Sequence, residues 1–299
     1  NKQQVFYVGT NDAQVLAKMR RDILSTFKTL PVSGEYLHRD CYEVSKKYGK
    51  DSFIVIDKLG SKYIPKMFSL KRTVDRIADK LPFLPKKMSD RIMQYMSYLW
   101  PNHLSERMED YHQQYQHHWI LEMNNDGVDE ARAYLAEFFE SKEGDYFECT
   151  PEEGEKAILH RFVAGGAIGR YHIMNSDRVG AMMTVDIALR RNDEKWFEEL
   201  PAEIDDLIDA KFYYGHLFCH VMHQNYVLKQ GVDAKQLKQR ILASFDARGA
   251  EYPAEHNVGH EYAAKETLRS FYRQLDPTNT FNPGIGKTSK LRHWSVKQP

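Results

Sequence analysis

The chain has 299 residues, of which 42 are Lys or Arg and 42 are Asp or Glu, so its formal net charge is zero. That length is enough to bury a full core and more than one structural unit, and a neutral chain gives no electrostatic argument for nucleic acid as a partner. The three cysteines, Cys41, Cys149 and Cys219, are dispersed and odd in number, which argues against a disulfide framework and indicates reduced thiols in the cytoplasm.

The first part of the chain, residues 1–57, is predicted to be a layer of strands and helices. VFYVG is predicted to be a short strand, and Asn11 or Asp12 then caps a helix whose apolar residues recur at helical spacing. A second helix is predicted for EYLHRDCYEVSKKYG and a buried strand for SFIVID. The alternation indicates an α+β fold. Because the chain starts at Asn1 without an initiator Met, we expect it to be a piece of a longer protein.

Residues 58–116 differ in character from the rest, and we call residues 58–100 the basic segment. It contains ten basic residues and three acidic ones, a local net charge of about +7. Met88, Ile92, Met96 and Leu99 form one apolar helical stripe, while aromatic residues beside them suit a headgroup interface. The periodicity alone fits three interpretations of the basic segment: it binds an anionic membrane surface, it is a solvated basic face over a core helix, or it is a nucleic-acid patch. No base-reading motif is present. No apolar run approaches the length of about 18 residues that a membrane span needs.

Residues 117–250 again alternate between strand and helix patterns. HHWILEM is predicted to be a strand and GVDEARAYLAEFFES an amphipathic helix. CTPEEGEKAILHRF predicts a helix that begins with Thr150 as N-cap, Pro151 as first residue and Glu153 closing a capping box. AGGAIG is then predicted to be a flexible interruption, and DIALRRND a strand followed by a turn.

A group of histidines and a carboxylate marks the chemical centre of the chain. FYYGHLFCHVMHQNYVLKQG contains His216 and His223, and EYPAEHNVG contains Glu255 and His256. If the two stretches lie side by side in a sheet, His216, His223 and Glu255 can share a divalent ion such as zinc or manganese, with His256 beside it as a proton acceptor. On one regular strand the two histidines would face opposite ways, so a bulge or turn is needed between them. The alternative is that these histidines only cap hydrogen bonds in the sheet.

Several segments together resemble a known family. AEHNVG and the tail DPTNTFNPGIGKTSK resemble the C-terminal portion of FAD-linked 2-hydroxy-acid dehydrogenases of the vanillyl-alcohol-oxidase type. Within that superfamily, the segments from GEYLHRD through CTPEEGEKAILHRF and DIALRRND resemble the respiratory, quinone-linked D-lactate dehydrogenases of bacteria. In those proteins a flavin-binding domain precedes the matching segments, and we expect it to be missing from this chain.

The resemblance implies a domain organisation and a function. It implies an antiparallel-sheet cap domain with helices on one face, built from residues 1–57 and 117–250. Residues 58–116 would be a basic amphipathic membrane-binding insertion, and residues 251–299 a tail that completes the FAD-binding domain. The implied activity is oxidation of D-lactate to pyruvate with FAD, followed by electron transfer to quinone. The implied location is peripheral, on anionic phospholipid at the cytoplasmic face of the bacterial inner membrane.

The resemblance also implies roles for individual residues. His256 would handle the hydroxyl proton, and Arg161 would hold the substrate carboxylate, although Gly165 stands where the family's Arg-x-x-x-Thr pattern has threonine. His216, His223 and Glu255 match the family's metal ligands in spacing, but LFCHVM replaces its Gly-Asp-Gly-Asn turn. The cofactor residues would be Asn282 and Lys287.

The sequence also fits other interpretations of Arg161 and of the function of the chain. Arg161 can instead form an ion pair with Glu155 or a similar neighbour. The chain can be a membrane-surface binding module without catalysis, or a metal-dependent hydrolase, which the absence of an HExxH motif disfavours. The tail's GIGKTS is not a nucleotide-binding loop, because Phe281 stands where that motif needs its first glycine.

Overall fold

The computed structural model describes residues 2–81, 83, 86–254 and 262–295. Its centre is a seven-stranded sheet with the strand order β4-β1-β3-β2-β6-β7-β5. The strands are β1 (Gln3–Thr10), β2 (Ser33–His38), β3 (His117–Asn124), β4 (Asp145–Glu148), β5 (Val179–Ala188), β6 (Ile208–His216) and β7 (Val221–Lys229). Each pair of neighbouring strands is antiparallel. The predicted α+β class with an antiparallel sheet is therefore confirmed.

Helices fill most of the segments between the strands. In the described residues they are α1 (Ala13–Thr26), α2 (Arg39–Tyr48), α3 (Lys50–Leu59), α4 (Ile64–Ala78), α5 (Met88–Ser97), α6 (Glu106–Gln114), α7 (Gly127–Phe139), α8 (Pro151–Phe162), α9 (Ala164–Met174), α10 (Ala202–Asp205), α11 (Ala234–Arg248) and α12 (Glu266–Leu275). Short 3-10 turns occupy Ser61–Tyr63, Ile285–Lys287 and Arg292–Trp294. Within these ranges no helix combines the length and the apolar character that crossing a bilayer requires.

Helices cover both faces of the sheet. In β1, Phe6 and Val8 belong to a core shared with α1, α7 and α11, which we call the first face. Val5 and Tyr7 point the other way, into a core shared with α2, α6, α8 and α9, which we call the second face. The prediction of helices on one face is therefore wrong. Strands with apolar residues at successive positions, such as VFYV, bury both of their sides, and each side needs its own helical layer.

Two local predictions fail for related reasons. SFIVID lies in helix α3 rather than in a strand, with only Asp51 and Phe53 buried in that helix. AGGAIG lies in helix α9 rather than in a flexible interruption. Small residues let α9 approach α2 closely: a Cβ added at Gly49 would lie 3.3 Å from the Cβ of Ala167. Gly49 and Ala167 therefore serve close helix packing, whereas a Cβ added at Gly166 or Gly169 would meet nothing within 4 Å.

The capping box at the start of α8 is confirmed. Thr150 Oγ1 accepts a hydrogen bond from the backbone N–H of Glu153 at 3.3 Å, and Glu153 Oε2 accepts one from the N–H of Thr150 at 2.9 Å. This pair fixes where α8 begins, and so fixes which residues of its last turn face the sheet. Arg161 is one of those residues and is buried.

Candidate functional site

A hairpin between β6 and β7 brings two of the predicted histidines together. His216 ends β6, the chain turns over residues 217–220, and β7 pairs so that Tyr214 lies opposite His223. His216 and His223 therefore lie on the same side of the sheet, with ring centroids 5.3 Å apart and rings nearly perpendicular at 83°. Of the bulge or turn that the two histidines needed in order to meet, the structure has a turn. His220 takes a different role, because it has φ 60 within the turn and its Nδ1 donates to the carbonyl of Arg190 at 2.9 Å.

Each histidine of this pair is held by a carboxylate on a neighbouring strand. His216 Nδ1 donates to Glu35 Oε1 at 2.9 Å, and His223 Nδ1 donates to Asp186 Oδ1 at 2.7 Å. Glu35 lies opposite His216 on β2, and Asp186 lies opposite His223 on β5. A carboxylate that accepts at Nδ1 fixes the proton there and orients the ring. Sequence reasoning missed Glu35 and Asp186, because their partners are 181 and 37 residues away and no local motif links them.

Arg161 joins the same group from the last turn of α8. Its Nη2 lies 3.1 Å from Glu35 Oε2, and its guanidinium carbon is 4.4 Å from the centre of the Tyr214 ring. The ion pair is thus with Glu35 rather than with Glu155. Nε and Nη2 are both buried, and among the described residues neither has a partner with hydrogen-bond geometry. Nη2 therefore faces Glu35 as an ion pair without hydrogen-bond geometry, and Nε is buried beside the histidine pair without an acceptor in the described part of the chain.

Charge balance at this group depends on Glu35. Burial alone would raise the pKa of Glu35, but the hydrogen bond from His216 and the charge of Arg161 lower it below its ordinary value of 4.5. Glu35 is therefore ionised at neutral pH. Burial also raises the pKa of Tyr214 to about 12, so that its hydroxyl keeps its proton.

The structure also shows what stands beside Gly165. A Cβ added there would lie 3.2 Å from the Tyr214 hydroxyl, closer than ordinary van der Waals contact. The Tyr214 hydroxyl therefore fills the space beside the position where the resembled family has threonine.

Glu255 and His256 lie outside the described residues. The described chain leading to them does reach this group: Ala254 N–H donates to the carbonyl of Asp186 at 3.1 Å. Within the part of the chain that the structure describes, no group of three His, Cys, Asp or Glu side chains could hold a metal ion. His216 and His223 alone do not fill the tetrahedral shell of a zinc site, so the described residues do not support the predicted metal.

The two predicted cofactor residues lie in the tail. Lys287 lines a cavity of about 470 Å³ formed only by tail residues, and Arg269, Arg273 and Lys290 also line it. Four basic side chains around one cavity suit a phosphate-containing group. Asn282 is exposed with φ 49 in the turn before Lys287 and does not line that cavity.

The basic segment presents a second candidate surface, on α5. The side of α5 that packs against the protein is polar: Ser89, Asp90, Gln94 and Ser97 are buried. The apolar residues Ile92, Tyr95 and Met96 face solvent, and Leu99 just beyond the helix is 85% exposed. A water-soluble helix normally has the opposite arrangement. Helix α5 is therefore inverted relative to a helix that packs its apolar side on a core.

Ion pairs hold the buried polar side of α5 in place. Arg170 of α9 pairs with Asp51 of α3, and its Nε lies 3.3 Å from Asp90 of α5. Lys71 of α4 pairs with the same Asp90. Gln94 donates to the backbone carbonyl of Lys47 at 3.0 Å. The inverted orientation of α5 is thus fixed by specific contacts to α2, α3, α4 and α9.

Three relatives of this chain carry the same name. The chain is 53% identical to the quinone-dependent D-lactate dehydrogenase of Escherichia coli (strain K12), over 98% of this chain and 51% of the relative. It is 51% identical to the protein of that name from Haemophilus influenzae and 41% identical to that from Corynebacterium glutamicum, over 97% of this chain in both and over 52% and 51% of the relatives. The chain thus spans about half the length of these curated relatives.

Solved structures with some likeness have little sequence in common with it. One is p-cresol methylhydroxylase with substrate bound, with a TM-score of 0.47, 12% identity, and coverage of 96% of this chain and 53% of that one. Another is 4-ethylphenol oxidase from Gulosibacter chungangensis, with a TM-score of 0.48, 10% identity, and coverage of 96% and 54%.

The family comparison covers nearly the whole chain. The family described as "D-lactate dehydrogenase, membrane binding" matches residues 5–294, and the chain belongs to that family.

Proposed function

We propose that this chain is the membrane-docking and substrate-binding part of a peripheral, FAD-dependent dehydrogenase that oxidises D-lactate to pyruvate and passes the electrons to quinone. The supporting observation for substrate binding is the buried guanidinium of Arg161, whose Nε has no hydrogen-bond acceptor among the residues that the structure describes and which lies beside the carboxylate-held pair His216 and His223. The names of the relatives support the choice of D-lactate and quinone.

In this proposal each described group has a task. The guanidinium of Arg161 receives the carboxylate of D-lactate through two parallel hydrogen bonds, with Nε as one donor, and Tyr214 packs against the guanidinium plane. Glu35 balances the charge of Arg161 when no substrate is bound. His256 is assigned the hydroxyl proton of the substrate from the sequence, since an imidazole accepts a proton near neutral pH. FAD, when bound, takes up the hydride from C2 of D-lactate. The basic cavity beside Lys287 is suited to hold its phosphate groups, with Asn282 in the preceding turn.

Membrane docking is assigned to the exposed faces of α4, α5 and the residues around them. Of the 18 exposed large apolar side chains in the described residues, 11 lie between Leu59 and Leu99. This cluster therefore coincides with the basic segment. Exposed apolar groups among lysines and arginines are what an interface of anionic phospholipid attracts. An anionic cytoplasmic leaflet, such as that of the bacterial inner membrane, fits this surface.

Sedimentation of the protein with vesicles tests the docking surface. Leu99→Glu places a charge on the surface, and Leu30→Glu is the matched control, because Leu30 is 79% exposed but lies outside the basic segment. We expect wild type and Leu30→Glu to sediment with vesicles containing phosphatidylglycerol, and Leu99→Glu to bind about tenfold more weakly. Equal binding by all three proteins, or binding unaffected by salt, would refute docking through this face.

Turnover by the intact enzyme tests the chemistry. An intact enzyme that includes this chain should oxidise D-lactate with a quinone acceptor, and His256→Ala should reduce kcat by at least about 100-fold. Turnover of D-lactate at the wild-type rate by His256→Ala would remove His256 from the mechanism.

A further inference from the structure

A cavity of about 530 Å³ lies between α2, α9 and β6, and we call it the ring-lined cavity. Its walls include the rings of Tyr48, Tyr171 and Phe212. The rings of Tyr48 and Tyr171 have centroids 5.5 Å apart at 90°, and those of Tyr171 and Phe212 lie 5.2 Å apart at 73°. Val44, Ile208 and Ala210 add apolar surface to the lining. Aromatic and apolar side chains thus make up one part of the lining, which suits a flat apolar ring.

The ring-lined cavity lies on the same face of β6 as Arg161, His216 and His223, which form the candidate substrate site, or substrate group. Phe212, Tyr214 and His216 alternate along β6, so their side chains all point to the second face. At a rise of about 3.3 Å per residue, Phe212 and His216 are separated by about 13 Å along the strand. A ligand in the cavity would thus be a neighbour of the substrate group rather than part of it.

The cavity is also close to the membrane-docking surface. A second, smaller cavity of about 200 Å³ shares Glu43 and Lys47 with it. Ser97 and Tyr98, at the end of α5, line this second cavity, and Leu99 follows them on the exposed apolar surface. The two cavities therefore share a wall at Glu43 and Lys47, and the second cavity lies at the edge of the membrane-docking surface.

The charges around the ring-lined cavity indicate a neutral ligand. Four acidic and two basic residues line it: Asp40, Glu43, Asp205, Asp209, Lys47 and Lys211. An excess of acidic groups disfavours a phosphate or carboxylate ligand. The lysines can still donate hydrogen bonds to neutral carbonyl oxygens.

We propose that the ring-lined cavity binds the ring of a quinone that enters from the membrane side through the second cavity. This inference rests on the proposed function, which supplies the electrons. The quinone is the oxidant and the reduced flavin of the intact enzyme is the reductant. Two electrons pass to the quinone, each ring carbonyl becomes a hydroxyl, and the two protons come from water at the open mouth of the cavity.

Two measurements on the intact enzyme test this site. The probe is a 2,3-dimethoxy-1,4-benzoquinone with a short alkyl tail, used as electron acceptor, and its azido derivative, used as photolabel. Ala210→Trp fills the cavity. Ala181→Trp is the matched control, because Ala181 is an exposed alanine of the edge strand β5 and does not line the cavity.

We expect the photolabel to attach to peptides that carry Tyr48, Tyr171 or Phe212. We also expect Ala210→Trp to lose the label and to raise the KM for the benzoquinone at least about tenfold more than the KM for a water-soluble dye acceptor. Ala181→Trp should match wild type in both measurements. Tyr171→Ser provides a second variant if Ala210→Trp does not fold, and it should also weaken labelling.

Two results would overturn the inference: labelling of other peptides only, or a benzoquinone KM that Ala210→Trp and Tyr171→Ser leave unchanged. Failure of the proposed function gives a different result, which is absence of D-lactate oxidation by wild type with either acceptor. In that case the labelling pattern still decides whether the cavity binds the quinone ring.

Discussion

Nδ1 of His216 donates a hydrogen bond of 2.9 Å to Oε1 of Glu35, a residue 181 positions away on the paired strand β2. The other oxygen of the same carboxylate lies 3.1 Å from Nη2 of Arg161. Glu35 therefore connects the residue proposed to bind the substrate carboxylate with the histidine pair. Its removal would leave a buried guanidinium without a counter-charge.

Glu35→Gln should destabilise the protein at neutral pH, by about 2 kcal/mol, because Gln accepts a hydrogen bond but carries no charge. The folded-state pKa of Glu35 is below its ordinary value of 4.5. The stabilisation is therefore fully present above about pH 4.5 and is lost as the pH falls through the lower, folded-state pKa. Urea denaturation of both proteins at pH 7 and at pH 4 measures this. A difference in unfolding free energy that stayed constant or grew on acidification would contradict the assignment.

Arg161→Lys should impair substrate binding, because an ammonium cannot reproduce two parallel hydrogen bonds to a carboxylate. We expect kcat/KM for D-lactate in the intact enzyme to fall by at least about tenfold. Arg107→Lys is the control, since Arg107 is a more exposed arginine paired with the capping-box residue Glu153. Equal effects of the two substitutions would indicate that Arg161 has only a structural role.

Arg170→Met should be strongly destabilising, because it leaves the buried carboxylates of Asp51 and Asp90 without their arginine partner. We expect a loss of about 3–5 kcal/mol in the free energy of unfolding, or local release of α5. Limited proteolysis should then cut more readily between α4 and α5. Arg178→Met, which removes a more exposed arginine paired with Asp209, should cost less than about 1 kcal/mol. A small effect of Arg170→Met on both measurements would show that α5 is held by other contacts.

Four buried or half-buried histidines on the second face should make the protein sensitive to acid. They are His103, His112, His118 and His160, and their rings pack around Tyr42 and Phe53. Burial lowers the pKa of His103 to about 4 and lowers the pKa values of His118 and His160 well below 6.5. Because the unfolded chain takes up these protons first, stability should fall as the pH drops below about 6.5, by up to about 1.4 kcal/mol per pH unit for each histidine.

His118→Leu tests this, since it removes one of these groups while keeping an apolar side chain in the core. The free energy of unfolding, measured in urea at pH 7, 6 and 5, should fall less steeply with acid than in wild type. If the stability of this variant fell with acid as steeply as that of wild type, His118 would take up its proton as readily in the folded protein as in the unfolded chain.

The sequence predicted the parts of the fold that depend on nearby residues. Asp12 caps α1 as expected, accepting from the N–H of Gln14, and the capping box of Thr150 and Glu153 begins α8. The helix at SFIVID was not predicted, because a short apolar run has no periodicity that separates a buried strand from a helix packed on one side. Tertiary packing decided that case.

The candidate site was predicted only in part, for the same reason. The spacing of His216 and His223 required a bulge or turn between them if they were to meet, and the hairpin provides a turn. Glu35 and Asp186 could not be predicted, because they meet the histidines only through the strand order β2-β6-β7-β5. No single stretch of sequence contains that order. The inverted burial of α5 also depends on its partners, since a stripe of apolar residues does not show which side faces the protein.

The pairing at the edge of the sheet makes one short connection sensitive to its length. Glu251 bridges to Ala188, and three residues later Ala254 donates to Asp186, so the chain runs antiparallel along β5 just before residue 255. Deleting or inserting a single residue between these two anchors would break the register of one of the two contacts, because each anchor pairs with a fixed position of β5. Among homologous proteins, this interval should therefore tolerate substitution far better than a change in length.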